Sequence, residues 1–216
     1  MHHVVPDIPD TAGPRVDDIL ARVREAFVEK GFDGASMQWL AKAAGMSAGN
    51  FYRYFPSKAA IIAALIARDM HAVHQDFVAL GQAEDPLARL RDLLADRISD
   101  HFHGTDARLW AEIEAVATRD TEIGQIGKAM QSEIHNQIIR IFSLISGLDE
   151  PQAAVRLAAH ADALMVLVKG ASIRACQPTE ADAQSRADPA AFQAVIMRLI
   201  DTLLAEVVAS NDAAPQ

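Results

Sequence analysis

The sequence predicts an all-α protein of about nine helices, with a three-helix N-terminal domain followed by a larger helical domain. Three observations carry this prediction. Apolar residues recur three or four positions apart in nearly every segment, glycine and proline stand at the segment ends, and no segment alternates as a half-buried strand does. The chain of 216 residues is long enough to bury a substantial core.

Residues 36–58 predict two short helices joined by a tight turn and followed by a third, capped helix. Ser36 and Ser47 stand where a hydroxyl can cap the free amides of a first helical turn. Gly45 tolerates the left-handed backbone that turns a chain out of a helix, and Met46 can fill the angle between the helices. The segment therefore predicts a helix-turn-helix, which fits a DNA groove.

The second short helix has one inward face. Phe51 and Phe55 are four residues apart and can both face the core, which leaves small, polar and aromatic residues on the other sides. Pro56 ends this helix and Ser57 caps the next. Lys58 is a cation in a helical first turn, so we expect an external anion such as a DNA phosphate to explain its position better than local stability does.

Helical periodicity also organises the rest of the chain. It predicts helices at 14–30, 57–80, 86–102, 105–117, 120–144, 151–176 and 188–209, and a polar linker at 177–188. The predicted domains are a flexible arm at 1–13, a helix-turn-helix DNA-binding domain at 14–60, a larger helical domain at 61–209, and a disordered tail at 210–216. The family resemblance given below implies that the domain at 61–209 is the ligand-binding and dimerisation domain.

Charge is unevenly distributed along the chain. The formal net charge is -9, yet residues 14–58 contain seven Lys or Arg against five Asp or Glu, a net of +2, and residues 36–58 contain no acid. An acidic body with a basic tip would confine DNA binding to that tip. Acidic soluble proteins are common, so charge alone does not discriminate.

Enzymatic function is poorly supported by the sequence, and we expect no catalytic residue, metal site or cofactor. No His-x-x-x-His pair, cysteine cluster or glycine-rich phosphate loop occurs, and residues 170–174 lack the second glycine of a nucleophile elbow. The single cysteine, Cys176, fits a reducing compartment. No apolar run reaches the length of a membrane span, so we expect a cytoplasmic protein without a membrane partner.

Several ordered segments in residues 14–60 resemble the N-terminal domain of the TetR family of transcriptional regulators. They are Glu29 to Phe32, Ala35 to Met37, Ala43 to Gly49 and Phe51 to Lys58. Leu109 to Glu112, followed by Thr118 to Asp120, is similar to the C-terminal domain of the BetI-like and AcrR-like branches. The resemblance implies a DNA-binding head and a body that binds a small-molecule effector.

The resemblance implies DNA contacts at ten positions of the head. The expected base-facing residues are Gln38, Ala48, Gly49, Asn50 and Arg53, and the expected phosphate-binding residues are Ser36, Met37, Tyr52, Tyr54 and Lys58. Ala48 departs from the lysine often found in relatives, which removes one contact. Packing is the alternative role for both tyrosines, although inward hydroxyls would need buried partners.

An effector pocket is implied in the body, but the sequence identifies it poorly. Adaptable apolar side chains and polar residues within apolar runs are the candidates, although each is individually better explained by core packing, a satisfied polar contact or a solvated face. They are Met70, His74, Phe77, Trp110, Glu114, Met130, Ile134, Phe142, Asp162 and Met165.

The last helix carries an apolar stripe wider than one covering contact needs. With the preceding apolar helix it predicts half of a four-helix interface in a two-fold homodimer, whose two heads would read a palindromic operator. The expected interface residues are Leu164, Val168, Phe192, Val195, Ile196, Leu199, Ile200 and Leu203. The alternative is that both helices only complete the monomer core.

The predicted function is therefore that of a sequence-specific transcriptional regulator, released from operator DNA when an effector favours another state. Two alternatives remain open. One is a helical module that binds a small molecule but no DNA, and the other is an architectural DNA-binding protein without an effector. The sequence specifies neither the effector, the operator, nor the direction of regulation.

Overall fold

The computed structural model describes residues 14–99, 105–175 and 188–211. The predicted arm at 1–13, Cys176, the linker up to 187 and the end of the tail lie outside these residues. Within them every regular element is helical, which confirms the all-α prediction. None of these helices is both long and apolar enough to span a bilayer.

Ten helices lie within the described residues. They are α1 Pro14–Gly34, α2 Met37–Ala43, α3 Ala48–Tyr54, α4 Lys58–Gly81, α5 Pro86–Ile98, α6 Thr105–Ala117, α7 Thr121–Ser146, α8 Glu150–Arg156, α9 Ala158–Ala175 and α10 Pro189–Ala209. There is one more helix than about nine because the segment predicted at 151–176 divides at Leu157, whose φ of -114° and ψ of 4° interrupt the helix.

The local chemistry of the helix-turn-helix agrees with the sequence. The hydroxyl of Ser36 accepts the Trp39 N–H at 3.1 Å, and the hydroxyl of Ser47 accepts the Asn50 N–H at 3.4 Å. Gly45 has φ +69° between the two helices. The caps and the turn expected from single residues are confirmed, because each depends only on neighbouring backbone.

The turn after α2 is closed by its own backbone. The Met46 N–H bonds to the Ala41 carbonyl at 2.9 Å, and the Gly45 N–H bonds to the Lys42 carbonyl at 3.0 Å. This pair of bonds satisfies the last carbonyls of α2 and requires a left-handed residue at the glycine. The sharp exit from α2 is thereby fixed before α3 begins.

The described residues form two compact units. The first contains 14–71 and 108–130, and the second contains 72–99, 105–107, 131–175 and 188–211. In the first unit α1 to α3 share a core with the start of α4, with α6 and with the start of α7. This unit is larger than the predicted DNA-binding domain at 14–60, so a boundary at 60 stays a prediction.

The second unit is built around α9. This helix packs against α5, α8 and α10, and α10 also packs on α5. The core of the unit includes Phe142, Leu157, Leu164 and Ile200, all of which are at most 1% exposed. Arg91 on α5 and Asp201 on α10 form a bidentate ion pair with N···O distances of 2.6 and 3.0 Å.

Gly45→Ala should destabilise the protein by roughly 1–2 kcal/mol, because a Cβ disfavours the left-handed backbone. The added Cβ would also lie 3.1 Å from Nη1 of Arg22. Gly49→Ala is the matched control, since an added Cβ inside α3 meets nothing within 4 Å. That change should be neutral or stabilising by up to about 1 kcal/mol. Urea unfolding measures both, and equal effects would contradict this account of the turn.

Asp201→Ala should lower the free energy of unfolding at neutral pH. The hydrogen bond from Arg91 is the main cause that lowers the pKa of Asp201 below its ordinary value of 3.8, and burial opposes it. A lowered native pKa stabilises the fold above the unfolded pKa, and this contribution is lost as pH falls through the native pKa. The deficit of the variant should therefore shrink below pH 3.8.

Urea unfolding across a pH series measures this deficit. Asp96→Ala is the control, because Asp96 is exposed on the same helix as Arg91. A deficit for Asp201→Ala that stays constant through the acid range would show that the ion pair does not stabilise the fold.

Candidate nucleic-acid interface

Helix α3 is oriented by two phenylalanines. Phe51 and Phe55 are 0% and 1% exposed, with ring centroids 5.4 Å apart. Their burial fixes which side of this short helix meets the core, as the sequence predicted. Ala48 and Tyr52, and likewise Gly49 and Arg53, are four residues apart and therefore share the outer sides of α3.

The residues expected to face bases have accessible side chains. Gln38 on α2 and Ala48, Gly49 and Arg53 on α3 are exposed, and Asn50 is half-buried. This arrangement leaves amide and guanidinium groups free to approach a base edge. Their contact with DNA stays a prediction.

The two tyrosines differ in their surroundings. Tyr52 is 44% exposed, which fits an outward role. Tyr54 is half-buried, packs against the core of the first unit and has its ring centroid 6.3 Å from that of Phe55. The packing alternative that the sequence left open therefore applies to the ring of Tyr54.

Lys58 has a local partner that the sequence analysis missed. Its Nζ donates a hydrogen bond to the Phe32 carbonyl at 2.6 Å and lies 4.8 Å from the centroid of the Phe32 ring. The expectation that an external anion explains this lysine better than local stability is wrong, because the carbonyl and the ring already stabilise the ammonium. A phosphate contact by Lys58 would compete with this internal bond.

Ser36 and Met37 also have structural roles. The Ser36 hydroxyl is committed to the cap of α2, and the half-buried Met37 side chain packs on the core of the first unit. Only their backbone amides remain as candidate phosphate donors. These contacts stay predictions.

Two cations remain available on the helix-turn-helix. Elsewhere in the first unit Arg24 pairs with Asp69 at 2.6 Å, and Lys30 pairs with Glu29 at 3.6 Å. Lys42 and Arg53 are exposed, and no acidic side chain among the described residues lies within ion-pair distance of either. The acid-free segment at 36–58 thus presents positive charge at its surface.

A surface cleft of about 370 Å³ lies between α1 and α2. It is lined by Arg22, Glu25, Ala26, Glu29, Trp39, Lys42 and Ala43. Trp39 is half-buried here, packs on the core of the first unit and has Lys30 Nζ 5.8 Å from its ring centroid. The lining charges have both signs and therefore favour no single ligand class.

The candidate effector-binding residues are divided between the two units. Met70, Trp110 and Met130 pack against the core of the first, and Phe77, Ile134 and Met165 pack against the core of the second. Glu114 is half-buried in the first unit and Phe142 is 0% exposed in the second. Phe142 is therefore an ordinary core residue, since a side chain with no exposed surface already fills its site.

The polar candidates in the second unit are paired. Asp162 is exposed and lies 2.9 Å from Nδ1 of His135, while the exposed His74 has Nδ1 3.3 Å from the amide nitrogen of Gln137. Gln137 is 6% exposed and also donates to Glu133 at 2.8 Å. Gln137 was not among the residues predicted from the sequence. Its position among Ile134, Ile138 and Ile141 on α7 was the sequence feature that could have indicated a buried polar side chain.

The predicted dimer face requires correction at two positions. Leu164 and Ile200 are 1% and 0% exposed within the chain's own core, so they cannot also form an outward interface. The helical stripe alone could not show this, because both sides of the stripe are apolar. Val168, Phe192, Ile196 and Leu203 are half-buried, whereas Val195 and Leu199 are 44% and 49% exposed.

Further exposed apolar residues accompany Val195 and Leu199. On α9 they are Val166 and Ile173, which are 69% and 40% exposed and seven residues apart. This spacing places them on one side of the helix. The sequence analysis did not include them.

Comparisons with known proteins identify the helix-turn-helix. Residues 19–65 match the family model described as bacterial regulatory proteins, tetR family. The chain is 31% identical over 121 residues to the HTH-type transcriptional regulator UidR of Escherichia coli strain K12. That alignment covers 54% of this chain and spans 59% of the length of UidR.

A second relative is the HTH-type transcriptional regulator BetI of Stenotrophomonas maltophilia. It is 26% identical over 156 residues, which cover 70% of this chain and 77% of BetI. The fold matches that of Salmonella enterica GusR with a TM-score of 0.67 at 20% identity, covering 91% of this chain and 100% of GusR.

The fold also matches AibR, whose structure is a complex with isovaleryl coenzyme A and operator DNA. The TM-score is 0.60 at 16% identity, covering 86% of this chain and 97% of AibR. The matches are to regulators rather than enzymes, in agreement with the sequence. Residues 19–65 thus match the tetR family of bacterial regulatory proteins, and the chain is similar in sequence to the HTH-type regulators UidR and BetI and in fold to GusR.

Proposed function

We propose that this protein is a transcriptional repressor that binds a palindromic operator as a homodimer and is released by a small-molecule effector. The observation that carries the proposal is the outer surface of α3, where exposed Tyr52 and Arg53 stand opposite the buried Phe51 and Phe55. A rigid short helix with accessible polar groups suits reading in a major groove. The regulator would act in the cytoplasm, where operator DNA is found.

The exposed groups of the helix-turn-helix would divide into those that contact base edges and those that contact phosphates. Arg53 can pair with a guanine edge or a phosphate, and Asn50 and Gln38 can each pair with an adenine edge. Tyr52 would hold a phosphate and set the register of α3. Ala48 and Gly49 are small and allow the helix to approach the groove closely. Ser36 and Met37 amides would add phosphate contacts.

Electrostatics supports a DNA ligand for this part of the chain. The exposed cations Lys42 and Arg53 lie in a segment without acids, whereas the whole chain carries -9. Non-specific affinity for DNA rises with the number of phosphates that cations neutralise. With only these two exposed cations on the described helix-turn-helix at 36–58, binding would depend on specific contacts from α3.

The dimer would form through α9 and α10. Val166, Ile173, Val195 and Leu199 expose apolar surface on two helices that pack against each other in the second unit. Gly170, on the same side of α9 as Val166 and Ile173, has nothing within 4 Å of an added Cβ, so a partner helix could approach closely. Two copies related by a two-fold axis would form a four-helix interface.

Effector control is supported by the similarity of fold to AibR, whose structure contains both isovaleryl coenzyme A and operator DNA. In this chain the effector must prefer the state with low operator affinity, since equal affinity for both states shifts nothing. We propose that the ligand binds in the region formed by 61–209 and acts through α4.

Arg53→Ala should lower operator affinity by roughly 5- to 150-fold, because a bidentate base contact is worth about 1–3 kcal/mol. The operator would first be enriched from random duplexes, and fluorescence anisotropy would then measure affinity over a salt series. Arg89→Ala removes an equal charge from an exposed position on α5 and should change affinity less than twofold or so. Equal losses for both variants would refute the role of α3.

The same titration distinguishes the two roles of Arg53. A phosphate contact predicts a salt slope that falls by about 1, and a base contact predicts relaxed sequence preference at one operator position. Tyr52→Phe should weaken binding uniformly across sequences if the hydroxyl holds a phosphate. Unchanged binding by Tyr52→Phe would leave only the ring of Tyr52 in contact.

Leu199→Glu should dissociate the dimer, because a carboxylate would be buried in an apolar interface without a partner. Val155→Glu is the matched control on α8, since Val155 is apolar and 83% exposed but lies outside the proposed face. Sedimentation velocity over a concentration series measures the dimer fraction. A dissociation constant raised by more than about tenfold only in Leu199→Glu is expected, and equal behaviour of the two variants would contradict the proposed face.

A further inference from the structure

The stretch from Gly31, where α1 kinks before its end at Gly34, to the cap at Ser36 is called the α1–α2 connection below. Side chains from other helices hold this connection. Gly31 has φ +69° inside α1, and the chain passes from there through Gly34 to the cap of α2. Both backbone groups of Phe32 are engaged in this passage. Its N–H donates to Oε2 of Glu112 at 3.2 Å, and its carbonyl accepts from Nζ of Lys58 at 2.6 Å.

Phe32 is also anchored through its ring. The ring stacks on that of Phe27, with centroids 5.8 Å apart and planes 11° apart, and Lys58 Nζ lies 4.8 Å from its centroid. Phe27 is 1% exposed. The position of Phe32 is therefore set jointly by α1, α4 and α6, all within the first unit.

The next residue makes a second connection to the α6 region. Asp33 pairs with Arg119, which lies in the turn after α6. Two consecutive residues of the α1–α2 connection are thus bound by Glu112 and Arg119. Few residues separate Asp33 from the cap at Ser36, and Ala35 between them is 0% exposed. A displacement of the connection must therefore displace α2 and, through its tight turn, α3.

We infer that Glu112 and Arg119 are positioning residues that hold the α1–α2 connection where α3 binds DNA best. This inference rests on the proposed function. The Glu112 carboxylate is carried by a well-anchored helix, because Leu109, Ile113 and Val116 of α6 are 1%, 4% and 2% exposed in the same core. A movement of α6 by about 1 Å would break the bond to the Phe32 N–H.

The contacts of these two residues contribute little to overall stability. The side chains of Arg119 and Asp33 are 54% and 76% exposed, and such pairs are weak in water. The bond from Phe32 to Glu112 is likewise at the surface. Their removal should therefore leave the core folded and change the position of the connection.

Glu112→Ala gives the sharpest test because charge and geometry predict opposite results. Loss of a negative charge near the DNA-binding unit should, by electrostatics alone, strengthen DNA binding or leave it unchanged. Loss of positioning should weaken operator binding about fivefold at unchanged salt slope, since no phosphate contact is lost. Glu112→Gln removes the same charge but keeps a carbonyl oxygen for the Phe32 N–H, so it should bind within about twofold of the unchanged protein.

The control is Glu25→Ala, which removes an exposed acid from α1 in the same unit. It should not weaken operator binding. A loss in Glu112→Ala with rescue in Glu112→Gln supports the inference. The inference is overturned if Glu112→Ala has the same operator affinity as Glu25→Ala. It is also overturned if Glu112→Gln binds the operator as weakly as Glu112→Ala.

Hydrogen exchange of the Phe32 amide in free protein separates this inference from the proposed function. Glu112→Ala should speed that exchange by about fivefold relative to Glu25→Ala. This effect does not require the protein to bind an operator. Unchanged exchange overturns the inference even if the protein binds an operator. Faster exchange in a protein that binds no specific DNA would instead refute the proposed function, while the positioning of the Phe32 amide by Glu112 would stand.

Discussion

The burial of Phe51 and Phe55 is the constraint on which the candidate interface depends. A helix of one or two turns has too few internal bonds to be stable alone, so tertiary packing must hold α3. The two rings lie in a core that also contains α1, α4, α6 and the start of α7. The orientation of Tyr52 and Arg53 follows directly, because they occupy the sides of α3 that the rings do not.

This shared core also explains why the first unit is larger than the three N-terminal helices. Leu109, Ile113 and Ile123 come from segments far along the chain, yet they are buried with Phe27 and Phe55 in the first unit. A change in the position of α6 would therefore be transmitted to the helix-turn-helix through packing. Packed interiors respond to such changes as discrete shifts, which suits a two-state regulator.

The sequence predicted what depends on nearby residues. The caps at Ser36 and Ser47 and the turn at Gly45 follow from local backbone chemistry, and the buried phenylalanines follow from helical spacing. Other outcomes depend on partners distant in sequence. Lys58 donates a hydrogen bond to a carbonyl 26 residues away in the sequence. Only the tertiary fold shows that Leu164 and Ile200 are buried in the core of the chain itself. Helical periodicity likewise could not reveal the break at Leu157.

Hydroxyl-radical footprinting of the purified protein on an operator enriched from random duplexes tests the central claim most directly. Two copies of α3 related by a two-fold axis should protect two segments, symmetric between the strands and centred about one helical turn or a small multiple of it apart. This pattern would show a dimer reading a palindrome. A single protected segment, or protection without sequence preference, would contradict it.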